Sequence, residues 1–107
     1  MEIKEFQDII YRTYYEKDSQ RGVLEAFRWL VEEVGELAKA IRKNDRENLI
    51  VEFSDVLAWL FSLANMLDID MEEVAQRYAH GCPKCGNIPC TCGREPTIDE
   101  LISGRED

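Results

Sequence analysis

The chain has 107 residues, enough for one domain with at most a small appended module. Apolar residues make up 45% of it, which marks a globular chain rather than a disordered one. Its formal charge of −9, from 22 acidic and 13 basic residues, opposes direct binding to nucleic-acid phosphates, which relies on clustered Lys and Arg.

The first predicted helix covers about 3–16, where Ile3, Phe6, Ile9, Ile10 and Tyr14 recur at helical spacing; Asp18, Ser19 and Gly22 interrupt it. A second runs from about Val23 to Lys43. Leu24, Phe27, Leu30, Val31, Val34, Leu37, Ala38 and Ile41 form its apolar stripe, and Arg42 and Lys43 suit the negative end of its dipole. Asn44 to Glu47 fits a capping box that opens a third helix, about 45–67. Asp70 to Glu73 fits another for a short fourth helix, about 71–79, and Thr97 to Glu100 begins a final turn or two stopped near Gly104. There is no alternating strand pattern and no internal repeat. The expected fold is all-α: an antiparallel helical bundle over 1–79, then a cysteine-rich loop and tail over 80–107.

The third helix is apolar nearly all round, from Leu49, Ile50, Val51 and Phe53 to Trp59, Leu60, Phe61 and Leu67. One neighbouring helix covers a single stripe, and so short a chain cannot enclose the remainder. A second copy is expected to do so, as a homodimer or a homotetramer. A membrane span is conceivable only at 49–67, where Glu52 and Asp55 break it. Met1 is followed by Glu2, Lys4 and Glu5, without the basic start and apolar core of a secretory signal. The expected location is the cytoplasm, with neither a membrane nor a nucleic-acid partner.

Glu52 and Asp55 raise a question of energetics. A buried, unpaired carboxylate costs several kcal/mol, so it takes up a proton or finds a partner. The second helix offers one in "WLVEEVGELAKAI", where Glu33 and Glu36, or Glu32 and Glu36, share a helix side. The short Asn44–Asp45 connection makes the two helices antiparallel neighbours and sets the acidic pairs at similar depths, about seven to twelve residues from the turn. Converging carboxylates demand positive charge, and an all-oxygen cluster favours a hard divalent ion such as Mg²⁺. Taken singly, such motifs also occur on solvated faces, as expected for Glu72 and Glu73. Gly35 costs helix stability and leaves room for the facing helix or a ligand.

The pattern E-E-V-G-E at 32–36 followed by E-F-S-D at 52–55 resembles the E-E-x-x-E … E-x-x-D signature of the all-α nucleoside triphosphate pyrophosphohydrolases, the MazG-like branch above all. The likeness extends over about residues 5–79. It implies a dimer or tetramer of helical bundles and Mg²⁺-dependent hydrolysis of the α–β phosphoanhydride, releasing a nucleoside monophosphate and pyrophosphate. By position, Glu33, Glu36, Glu52 and Asp55 would be metal ligands, and Glu32 a ligand or a group orienting the attacking water. Glu32, Glu33 and Glu36 are thus the candidate catalytic residues. No Ser, Cys or His nucleophile is required, since a metal ion supplies the activation. His80 is the only histidine, which argues against a di-iron centre built on Glu-x-x-His.

For the nucleoside triphosphate substrate, Lys39 is a candidate phosphate contact, with a solvated lysine as the alternative. Trp29 and Trp59 are candidates to stack on a base, or else core residues. Asn65 is a candidate contact to sugar or base. The four cysteines occupy "CPKCGNIPCTC", Cys82-x-x-Cys85 and Cys90-x-Cys92. C-P-K-C-G looks like a zinc knuckle, and four thiolates suit tetrahedral Zn²⁺ in a structural role. The second pair departs from the common knuckle, leaving open His80 as a ligand, a contribution from a second chain, iron, or disulfides. Two rivals to the leading function stand: phosphoribosyl-ATP pyrophosphohydrolase, and a non-catalytic, zinc-stabilised interaction or regulatory module.

Overall fold

The computed structural model describes residues 1–93 and 97–105. Five helices follow in order: α1 (Ile3–Arg21), α2 (Val23–Lys43), α3 (Arg46–Met66), α4 (Met71–Gln76) and α5 (Ile98–Arg105). No strand occurs among the described residues. The chain divides into two compact units, Met1–Val74 and Ala75–Asp107.

The first helix is longer than its apolar pattern. Asp18 and Ser19 do not break it: Ser19 Oγ donates to the Tyr15 carbonyl at 2.6 Å and Asp18 pairs with Arg21 at 3.3 Å. What ends it is Gly22, whose φ of +93° only glycine adopts without strain. The α2–α3 turn also differs by one residue from the expected capping box. Asn44 is the left-handed C-cap of α2, at φ 52°, and Asp45 is the N-cap of α3, accepting from the Asn48 N–H at 3.3 Å. Helix α4 is a turn shorter than its pattern, ending at Gln76. The Thr97 carbonyl accepts the Leu101 N–H at 3.0 Å at the start of α5, which continues past Gly104 to Arg105; the Glu100 side chain lies outside the described residues.

In the first unit α3 is the central element, packed chiefly against α2 and secondarily against α1. Phe6 of α1 meets Phe61 of α3 edge-on, with ring centroids 4.9 Å apart. Gln7 fastens α1 to the end of α3: its amide donates to Asn65 Oδ1 at 3.0 Å and the Ile69 carbonyl at 2.8 Å, and its oxygen accepts the Met71 N–H at 2.9 Å. The core is thin. Ile10, Ala26, Ala40, Leu49, Phe61, Leu63 and Ala64 are its only buried apolar residues among those described, and no large side chain is fully enclosed. Phe53 and Ile50 on α3 remain 58% and 72% exposed, as do Phe27 and Val31 on α2 at 53% and 54%. So much uncovered apolar surface on the two principal helices is unusual for a lone chain.

Candidate metal centre

Helices α2 and α3 bring Glu33, Glu52 and Asp55 together, with carboxylate oxygens within 4.8 Å of one another. The antiparallel register explains this. Four residues back from Glu33 is Trp29, and four forward from Asp55 is Trp59; these two rings also meet, stacked at 6.1 Å and 9°. The indoles therefore lie one helical turn along the interface from the carboxylates.

The electrostatics of the three carboxylates are unfavourable as they stand. Burial raises the Glu33 pKa, and the charges of Asp55, Glu52 and Glu36 raise it further. Glu52 Oε2 is buried and has no hydrogen-bond partner. An orphaned buried carboxylate oxygen is costly unless something positive meets it. The donor set consists of oxygens alone, which fits a hard divalent cation. Glu36 is exposed, one turn from Glu33 and outside the group of three, although its charge reaches Glu33. Glu32 is exposed and lies 4.0 Å from Arg28 on its own helix. Beside Gly35 there is open space: an added Cβ would meet nothing within 4 Å. The facing helix makes no close approach there, so the glycine leaves room instead.

Asp55 also borders a second feature. A cleft of about 170 Å³ between α1 and α3 is lined by Tyr14, Lys17, Asp18 and Arg21 on one side and by Asp55, Ala58, Trp59 and Ser62 on the other. A cleft of this size has room for a phosphate-sized group. Arg21 lies over the Trp59 ring at 5.0 Å and pairs with the buried Asp18, giving a ladder of guanidinium, indole and indole that ends in Trp29. Lys17 and Arg21 thus place positive charge beside the acidic group, a contribution of α1 absent from the sequence reading. Its one visible signal was Asp18 and Arg21 at i, i+3 spacing. Lys39 is exposed and does not line this cleft. The Asn65 side chain is engaged by Gln7, accepting from its amide and donating to its backbone carbonyl at 3.3 Å.

In the second unit the sulfurs of Cys82, Cys85, Cys90 and Cys92 also lie within 4.8 Å of one another, in a group that does not include His80. Hydrogen bonds from the backbone N–H groups of Thr91 and Asn87 hold the Cys85 thiol down to about 5. Both clusters are arrangements able to bind a metal ion.

A helical bundle with an all-oxygen acidic centre across its two main helices defines the class. Within that class the profile of the MazG nucleotide pyrophosphohydrolase domain matches residues 21–84, and the chain belongs to this family. The match spans both acidic motifs, α2 through α4, and Cys82, and ends one residue before Cys85. No curated protein matches the chain significantly.

Proposed function

We propose that the protein is a Mg²⁺-dependent nucleoside triphosphate pyrophosphohydrolase that cleaves between the α and β phosphates, giving a monophosphate and pyrophosphate. The observation that carries this is the unpartnered, buried Glu52 oxygen facing Glu33 and Asp55 inside a MazG domain. Glu33, Glu52 and Asp55 would hold the cation, with Glu36 completing the set from one turn away. When bound, the cation neutralises the triphosphate and makes the α-phosphorus electrophilic.

The remaining work falls to side chains of this chain. Water attacks the α-phosphorus, the bond to the α–β bridging oxygen breaks, and the electron pair leaves on pyrophosphate. Glu32, next in sequence to Glu33, would orient that water and receive its proton. Lys17 and Arg21 would receive phosphate oxygens in the cleft, where their charge meets the leaving group. The Trp59–Trp29 ladder offers an aromatic wall toward the base.

The uncovered apolar faces of α2 and α3 support a homodimer or homotetramer. By length and composition α3 would also suit a bilayer, but Glu52 and Asp55 at its middle favour a soluble assembly in the cytoplasm. The net charge of −9 favours a nucleotide over nucleic acid as the partner. The test is pyrophosphate release over canonical and damaged nucleoside triphosphates and phosphoribosyl-ATP, with Mg²⁺ and with a chelator. Pyrophosphate and monophosphate appearing only with metal is the expected result; diphosphate plus orthophosphate would refute the α–β assignment.

A further inference from the structure

We propose that Cys82, Cys85, Cys90 and Cys92 form a closed structural zinc site, in which one chain supplies all four ligands to one ion. The sulfur geometry is the first argument. Cys82 and Cys92 have sulfurs 3.7 Å apart, and Cys85 and Cys90 have theirs 4.0 Å apart. A tetrahedral zinc with bonds of about 2.3 Å sets its sulfurs about 3.8 Å from one another. A disulfide needs about 2.05 Å, roughly half of either observed distance.

The pairing also disposes of the spacing difficulty. The short contacts join the first cysteine to the last and the second to the third. The Cys90-x-Cys92 pair therefore folds back across Cys82-x-x-Cys85, and the four residues between the pairs suffice for that return. The Gly86 N–H donates to the Cys82 carbonyl at 2.7 Å, the Cys82 N–H to the Asn87 carbonyl at 3.1 Å, and the Asn87 side-chain amide to Thr91 Oγ1 at 2.8 Å. Gly81 has a φ of +104°, and a Cβ there would strike Ile88 and the Asn87 backbone. Amides point at the sulfurs as well: Thr91 N–H to Cys85 at 3.5 Å and Cys92 N–H to Cys90 at 3.3 Å. Such bonds to metal-bound thiolates orient them and spread their charge.

No described residue from 75 onward is buried, so the described residues of the second unit supply no apolar core to hold the loop. Segments of this size without a core depend on a staple such as a metal. Four soft thiolates select zinc over the hard cations that the acidic centre suits, and four protein ligands leave no open position for catalysis.

The experiment is metal analysis of the full chain purified under reducing conditions, followed by cobalt substitution and the variants Cys90→Ser and Cys92→Ser. About one zinc per chain is expected, with a cobalt spectrum of tetrahedral tetrathiolate type. Each variant should weaken zinc by about 100-fold or more and change that spectrum, while helical circular dichroism persists from the first unit. Titrating the unsubstituted chain with a mercurial thiol reagent, and following zinc release with a coloured chelator, gives a second reading should the variants misfold. Absence of zinc, bound iron, mapped disulfides, or half an equivalent of zinc would each overturn the proposal. None of these readouts involves a nucleotide, so they are separable from the hydrolase reading.

Discussion

Glu33 of α2 and Asp55 of α3 hold carboxylate oxygens within 4.8 Å of each other across the helix interface, with the unpartnered oxygen of Glu52 beside them. In the metal-free protein burial first, and then the three neighbouring carboxylates, raise the Glu33 pKa. A carboxyl whose folded pKa exceeds its unfolded one binds more protons when folded. Its contribution to stability is complete below the unfolded pKa and is lost as pH rises through the raised folded value. Compared with Glu33→Gln, metal-free protein is therefore expected to lose melting temperature as pH climbs from mildly acidic toward neutral. Mg²⁺ should oppose the loss, more strongly at higher pH, because the ion displaces the proton. Melts across this window with chelator and with Mg²⁺ test it; identical pH profiles for the two proteins would count against the shared acidic centre.

Arg21 serves two groups, the buried carboxylate of Asp18 and the face of Trp59. Arg21→Ala leaves Asp18 charged and alone in a site that is 3% exposed. Since Arg21 itself is partly exposed, the expected cost is about 2–3 kcal/mol, below the range for a fully buried pair. Adding Asp18→Asn should recover part of that stability by removing the stranded charge, as denaturant titration of the two variants would show. It should not restore activity if Arg21 binds phosphate: KM should stay raised in both variants.

Gln7 and Asn65 behave as one unit, joined by two hydrogen bonds between helices. Asn65→Ala and Gln7→Ala should each cost about 1–2 kcal/mol, and the double variant should cost less than their sum. A substrate role for Asn65 predicts something else, a raised KM for Asn65→Ala and none for Gln7→Ala. Steady-state kinetics on both variants separates these.

The boundaries of α2 were legible to the residue because its apolar stripe and basic C-terminal turn agree; Asn44 was assigned to the start of α3, whereas its left-handed backbone caps the end of α2. The extent of α1 was not. Asp18 and Ser19 look like breakers, but a partner one turn on and a back-bond to Tyr15 keep both helical, and such local bonds leave no periodic trace. The convergence of Glu33, Glu52 and Asp55 could be read from spacing because one tight turn fixes the α2–α3 register. The cleft could not, because α1 meets α3 through contacts remote in sequence, as Arg21 with Trp59.

The apolar residues left open on α2 and α3 bear on assembly. Phe27, Val31, Ile50 and Phe53 are all more than half exposed in the single chain. Light scattering at micromolar concentration should give the mass of a dimer or tetramer, and Phe53→Glu should drive it toward monomer with a lowered melting temperature. A monomeric mass for the unaltered chain would reject the assembly.

Asp55 offers the sharpest separation of a structural from a metal-holding role. It sits where the acidic group and the α1 cleft meet, so a purely structural Asp55 would make Asp55→Asn lower stability, with activity falling only as far as folding does. If the three carboxylates exist to meet a cation, the amide relieves repulsion in the metal-free state, because it removes a charge that water reaches poorly. The metal-free melting temperature should then hold level or rise. The stabilisation by Mg²⁺ should shrink, since a ligand that binds only the folded state stabilises it in proportion to its affinity. Activity should fall by about 100-fold or more, the usual scale for losing a group that stabilises charge in the transition state. Melting Asp55→Asn beside the unaltered protein, with and without Mg²⁺, and assaying both in parallel decides the matter. A variant that melts much lower without metal, yet keeps its activity per folded molecule, would sink the metal-centre reading.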